Sequence, residues 1–428
     1  MSRVRNLLCL LLVLILCTCA RASTILIPMD ESQTDHLKAY GITFWVLENQ
    51  IEAWWLLNYR GGSFAFQHSR AFERECLTRG VKYEVISDGA FNGILAEIAN
   101  PEKNMDAMKL DKAPKIAVYT PDYNFREGTE VQPWDDAVTL VLTYAEIPYE
   151  TVYDTEVLED KLAEYDWLHL HHEDFTGQFG RFYRSFNAAP WYRRQVAYQE
   201  ELAAKNGYNK VSQLKLGVVK KVKEYVGGGG FMFAMCSATD SYDIALAADG
   251  TDIAAPYYDG DPIDPNAQSK LDYSKTFAFE NFELERNPLE YEFSNIDRPN
   301  MPQVSEDQDY FTLFEFSAKW DPVPTMLTQN HLRTVKGFMG QTTAFTNRHL
   351  KSDVLVLGES KPLREARYIH GQFGEGFFTF YGGHDPADYR HLVNDPETDL
   401  SLHPNSAGYR LILNNILFPA AKKKERKT

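Results

Sequence analysis

The chain has 428 residues, 44% of them hydrophobic, and a formal charge of −16. That length buries a large core and allows two or three domains. The acidic balance argues against nucleic acid or an anionic membrane surface as a partner, and five cysteines in so long a chain exclude a disulfide scaffold.

In chain order, residues 1–22 have the form of a secretory signal peptide. Arg3 and Arg5 make a charged start, Leu7 to Leu16 is an apolar run too short to span a bilayer, and Ala20-Arg21-Ala22 sets small residues before Ser23. Thr18 fits poorly before Cys19 as a lipoprotein signal. The expectation is an exported protein, periplasmic or extracellular, with no membrane span in its mature part. Cys76 and Cys236 lie clear of this segment. The basic tail, 421–428, reads as a solvated end.

Residues 23–112 read as a small α/β unit. It holds a strand at 24–29, a helix near 33–40, a hairpin pairing 41–47 with 53–59, a turn at Arg60-Gly61-Gly62, a helix at 69–79, a strand at 82–86 and a helix at 90–99. From Lys115 the rhythm changes. Strands at 115–120, 149–153, 166–171 and 231–235 alternate with helices at 134–145, 155–163 and 211–226. This alternation predicts a flavodoxin-like parallel sheet with helices on both faces, over 113–420. Residues 231–235 are apolar throughout, as a central strand requires. The aromatic and arginine-rich stretch 173–210 reads mostly as a packed excursion, and 251–350 as a β-rich insertion with strands at 311–316 and 342–345. Strands at 353–357, 366–369 and 377–381 return to the sheet, and a helix at 407–417 covers it.

In an open parallel sheet, chemistry collects at the carboxyl ends of the strands. Three such ends carry polar clusters. Cys236 ends the strand at 231–235 and precedes a helix, the layout of a nucleophile elbow, with small neighbours Ala234 and Ala238. Ser237 offers its amide to an oxyanion and Thr239 lies beside it, whereas Asp240 and Asp243 oppose a thiolate. Gly382-Gly383-His384-Asp385-Pro386 follows the strand at 377–381. It supplies His384 as a base, with Gly383 and Asp385 at the pocket. His169-Leu170-His171-His172-Glu173-Asp174 ends the strand at 166–171. Glu173 is the candidate to orient His384, with Asp385 the alternative that adjacency in sequence disfavours, and His171, His172 and Asp174 line the pocket. No spacing matches a zinc motif, and no metal or cofactor is expected. The acidic run 259–266 lacks a calcium loop's sixth-position glycine, and Lys270 stands where the twelfth-position glutamate belongs. Gly227 to Gly230 precede a strand, not a helix, so they are no dinucleotide fingerprint.

The order of these pieces is familiar. YDWLHL at 165–170, GGGFMFAMCSATD at 228–240 and GEGFFTFYGGHDP at 374–386 resemble the class I glutamine amidotransferase-like superfamily, in particular its trehalose-utilisation-type branch, over about 113–420. The resemblance implies Cys236 as nucleophile and His384 as base. It departs from working amidotransferases where both elbow glycines are alanine and where Pro386 replaces the acid two residues after the histidine, which leaves the third member open. The whole chain also resembles exported bacterial proteins often labelled asparagine synthetase B. That chemistry needs a cysteine as first mature residue and a Ser-Gly-Gly-x-Asp-Ser loop for ATP, and the chain has neither. Three expectations follow: an amide or acyl hydrolase working through cysteine, a non-catalytic or carbohydrate-related binding protein on the same fold, and an envelope interaction protein acting through 23–112. A small molecule or glycan is the ligand class for the first two.

Overall fold

The computed structural model describes residues 23–121, 134–297 and 304–421. The signal segment and the basic tail lie outside the described residues, apart from Ala421. No helix among the described residues is long and apolar enough to cross a membrane.

The first sheet is built from β1 (Ser23–Ile27), β2 (Ala53–Leu57), β3 (Ser63–Gln67), β4 (Glu84–Ser87) and β5 (Asp106–Leu110). They are ordered β4-β1-β3-β2-β5 with every pair antiparallel. The helices expected at 69–79 and 90–99 are present as Arg70–Arg79 and Asp88–Ala99. The hairpin expected from 41–47 is not. Those residues belong to a helix, His36–Glu48, capped by Asp35, which accepts from the Lys38 amide at 2.8 Å. Ten of its residues are buried, so apolar side chains sit on every side and no helical stripe marks it in the sequence. Gly41 is the contact point with a neighbouring helix: a Cβ there would lie 1.8 Å from the Ala145 carbonyl oxygen. The true partner of β2 is β3, joined through the turn at Arg60-Gly61-Gly62.

The second sheet contains β6 (Ile116–Tyr119), β7 (Glu150–Val152), β8 (Trp167–His171), β9 (Phe231–Met235), β10 (Tyr310–Leu313), β11 (Thr334–Lys336), β12 (Phe345–Thr346), β13 (Leu355–Ser360), β14 (Glu365–Phe373) and β15 (Gly376–Tyr381). Its order is β11-β10-β13-β14-β15-β9-β8-β6-β7, with β12 on β14. The five strands from β15 to β7 run parallel and the rest antiparallel. The protein is thus mixed α/β with parallel strands at the heart of its larger sheet. The expected β-rich insertion is sparser: among its described residues only β10, β11 and β12 form strands. Side chains tie its backbone down instead. The Asp243 carboxylate, for example, accepts from the amides of Phe277, Ala278 and Phe279 at 2.7–2.9 Å.

Register decides where the polar clusters go. His171 pairs with Met235, and Met235 with Tyr381, across β8, β9 and β15. The residues one step further, His172, Cys236 and Gly382, therefore leave three adjacent strand ends side by side.

Candidate functional site

Cys236 turns at the tip of β9 with φ of +53°, a left-handed conformation that costs a non-glycine residue energy. A short 3-10 turn, Cys236–Ala238, leads into the helix Asp240–Ala247. The Thr239 hydroxyl closes the turn by donating to the Cys236 carbonyl at 2.7 Å. The Gln341 amide donates to Cys236 Sγ at 3.2 Å. Cys236 and Cys76 are both free thiols. Asp240 and Asp243 are committed elsewhere. The Asp240 carboxylate accepts from the Thr342 hydroxyl at 2.7 Å, and burial pushes it up to about 7. Burial likewise raises Asp243 to about 6.

His384 reaches the same point from the end of β15. Its amide donates to the Met339 carbonyl at 2.9 Å, and Gly383, at φ of +103°, lets the chain pass Phe338. His384 Nε2 lies 3.4 Å from Asp135 Oδ1. Burial alone would lower this imidazole. The contacts with Asp135 and Cys236 outweigh it and raise His384 to about 9. Asp135 is held by the Thr398 amide at 3.2 Å and faces His391 Nε2 at 3.2 Å, and its carboxyl stays below the usual range.

From β8 come His171 and His172. Successive residues of an extended strand face opposite ways, yet these two rings stack at 3.5 Å because His172 adopts φ of +57°. His172 Nε2 faces the Asp135 carbonyl at 2.8 Å, and its ring lies 4.3 Å from that of His384. Desolvation holds His171 at about 4 and His172 well below its ordinary value, so both are neutral. One ring nitrogen from each of His171, His172 and His384, together with Cys236 Sγ, lie within 4.8 Å of one another.

Glu173, expected to orient His384, is turned away. Its carboxylate accepts from Lys215 Nζ at 3.4 Å and from the Tyr153 hydroxyl at 3.5 Å, and burial lifts it to about 7. The side chain leaves the strand end on the face opposite His384, where Lys215 supplies its counter-charge. Asp174, expected at the pocket, folds its own loop instead. It accepts from the amides of Thr176, Gln178 and Gly180 at 2.7–2.9 Å. Asp385 caps the turn after His384 through the Ala387 amide at 2.8 Å. Ser237 is buried in the elbow turn, and its hydroxyl has no partner among the described residues. Sequence reasoning missed Asp135 and Gln341. Asp135 lies 249 residues from His384, and the only local signal was the Asp135-Asp136 pair ahead of a helix, which reads as a cap.

Cys236, His172, His384, Gln341 and Tyr291 open onto a cavity of about 780 Å³, walled by Trp134, Phe182 and Phe186 and rimmed by Arg184 and Arg390. The aromatic stretch after β8 thus packs and also forms one wall. The acidic run at 259–266 is spanned by Lys210, whose Nζ lies 2.5–3.0 Å from Asp252, Asp259 and Asp261.

No family model matches the chain, and no curated protein matches it. Among solved structures, Cytoplasmic Protein STM3548 from Salmonella typhimurium aligns over 72% of this chain and 100% of its own, at 10% identity and a TM-score of 0.33. Cytoplasmic Protein STM1381 from Salmonella typhimurium LT2 covers the same shares at 12% identity and a TM-score of 0.33. Gan42B, a GH42 beta-galactosidase, aligns over 64% of this chain and 28% of its own, at 12% identity and a TM-score of 0.26. Similarity at this level carries no argument about what this chain does.

Proposed function

We propose that this chain is an exported hydrolase of the glutamine amidotransferase-like kind, cleaving an amide or related acyl bond through Cys236. The observation that carries the reading is the convergence at one strand edge of a left-handed cysteine, the His384 ring and Asp135. The strand order β7-β6-β8-β9-β15 supports a flavodoxin-like core, because it reads 2-1-3-4-5 with its reversal between β6 and β8. Asp135 takes the part for which Pro386 left no acid. It orients and charges the imidazole from a different loop.

In this mechanism the Cys236 proton is carried by His384, which is an imidazolium at neutral pH, and Sγ attacks the acyl carbon. The oxyanion forms facing the Ser237 amide, and His384 returns the proton to the leaving amine. Water, deprotonated by the same imidazole, then cleaves the thioester and restores the thiol. The His384 imidazolium and the Gln341 amide, which donates to Sγ at 3.2 Å, both face the attacking sulfur. Iodoacetamide should alkylate Cys236 at neutral pH and leave buried Cys76 untouched, with the modified residue assigned by peptide mass spectrometry. Cys236→Ala should abolish any hydrolysis found on an amide and ester panel. Unchanged turnover by that variant would rule the nucleophile out.

A glycan-binding protein is the second reading, favoured by the aromatic wall of Trp134, Phe182 and Phe186, on which sugar rings stack. It predicts an inert Cys236 and a thermal shift with one member of a glycan panel.

A further inference from the structure

The three histidines around Cys236 share a feature that a hydrolytic dyad does not require. Each has one ring nitrogen facing one of two adjacent residues, Asp135 or Asp136. His172 Nε2 faces the Asp135 carbonyl at 2.8 Å, His384 Nε2 faces the Asp135 carboxylate at 3.4 Å, and His171 Nδ1 lies 3.2 Å from Asp136 Oδ2. Asp136 is itself fixed, since its other oxygen accepts from the Val138 and Thr139 amides at 2.8 and 2.9 Å. With one nitrogen of each ring turned to this segment, the other is left for the space beside Sγ. Outer carboxylates and carbonyls that fix one imidazole nitrogen are what metal-binding histidines characteristically have.

A second observation points to a ligand. His171 has a fully buried side chain, yet neither of its ring nitrogens makes a well-aligned hydrogen bond among the described residues. The Asp136 contact is short but off-axis. A buried imidazole whose polar contact, with the Asp136 carboxylate, is poorly aligned is costly. Here it is kept against its neighbour by the left-handed backbone of His172, which also costs energy. Nitrogen and sulfur donors within 4.8 Å of each other need only small movements to close a tetrahedron.

We infer that His171, His172, His384 and Cys236 form a binding site for one divalent transition-metal ion of the zinc class. The donor set, three imidazoles and a thiolate, suits zinc and cobalt and disfavours magnesium or calcium, which take oxygen ligands. Binding needs Cys236 as the thiolate and all three imidazoles neutral, so the protons that these groups hold in excess of that in the metal-free site are released to solvent. Occupancy therefore withdraws the sulfur from any nucleophilic role. The site stands whether or not the chain is a hydrolase. The ligands leave three strand ends far apart in sequence, which is why no zinc spacing is visible.

The test uses the full chain after dialysis against a chelator. Cobalt(II) titration should saturate at one ion per chain, with intense visible bands of a tetrahedral site and a near-ultraviolet thiolate charge-transfer band. Zinc should displace it and protect Cys236 from iodoacetamide. Cys236→Ser should remove the charge-transfer band, and His171→Ala should weaken binding at least tenfold. Cys76→Ser should change neither. Asp136→Asn keeps an equally good helix cap while losing the outer charge, and should weaken binding about 10–100-fold. Thermal melts of each metal-free variant check folding, and His172→Ala replaces any variant that fails. No saturable binding, or cobalt bands that lack the charge-transfer feature or survive Cys236→Ser, would overturn the inference. Failure of metal-free Cys236 to alkylate would count against the hydrolase reading alone.

Discussion

Lys215 is heavily committed among the described residues. Its ammonium is fully buried, and its three N–H groups face five oxygens: both of Asp154 at 3.1 Å, the Tyr119 and Tyr153 hydroxyls at 3.0 Å, and Glu173 at 3.4 Å. The Tyr119 hydroxyl in turn donates to Asp154. A buried ion is tolerated only when every partner is satisfied, and removing one partner leaves the others uncompensated. Lys215→Met should therefore cost about 3–5 kcal/mol in urea unfolding; a loss under about 1 kcal/mol would mean that water already enters the cluster. His384 carries a different signature. Its value is raised from 6.5 to about 9, so the folded state holds the proton more tightly than the unfolded chain. The stability this contributes is fully present below pH 6.5 and is lost as pH rises through about 9, with an amplitude on the order of 3 kcal/mol. In chelator-treated protein, the stability gap between wild type and His384→Gln should shrink over that window. A gap independent of pH would show that the ring is not charged in the native state.

The strand ends of β8, β9 and β15 do more for the site than any one side chain. Their register aligns His171, Met235 and Tyr381, so the residues that follow must meet. Gly383 is a tight joint next to these strand ends. At φ of +103° a side chain is strained, and a Cβ would lie 2.5 Å from the Phe338 ring. Gly383→Ala should displace His384 and slow alkylation of Cys236 at least tenfold while the melt stays cooperative; normal alkylation would show that the loop absorbs the methyl group. Much of this was legible beforehand. Strand 231–235 and helix 407–417 stand where their apolar patterns put them, and the three polar strand ends follow from alternation plus topology. Helix His36–Glu48 was legible only at its start, where a helix near 33–40 was expected; its continuation through 41–47 was not, because burial on all sides erases its stripe. Nor was the role of Glu173, which depends on which face of a strand end the side chain takes. Asp135 was hidden for a third reason: contact order of hundreds of residues leaves no local trace.

At the scale of the whole chain, the N-terminal sheet does not sit apart from the parallel one. Helix His36–Glu48 packs on the helices Ala137–Ala145 and Ala407–Leu417, and one apolar cluster runs through Tyr40, Phe44, Val141, Leu411 and Ile412. All eleven residues of Ala407–Leu417 are buried. Polar contacts cross the same seam. Arg410 donates to the Met29 carbonyl at 3.0 Å, to the Tyr40 hydroxyl at 3.1 Å and to the Gly61 carbonyl, while Tyr40 donates to Asn414. Leu110 pairs with Ala421, so the last strand of the N-terminal sheet is bridged to the C-terminal end of the described residues. Deleting 23–112 would uncover side chains worth about 1.5–3 kcal/mol each when buried, and would strand the Arg410 guanidinium without three acceptors. Against a net stability of about 5–15 kcal/mol, that loss is decisive. The truncated chain should therefore lack a cooperative melt, and the full chain should unfold in one transition by near- and far-ultraviolet circular dichroism. A truncated protein with a sharp melt and a reactive Cys236 would show the parallel domain to be self-sufficient. If the prediction holds, a partner-retention assay on this deletion would report unfolding, so any partner of the N-terminal unit has to be sought with surface substitutions on its exposed strand β4 and helix Asp88–Ala99.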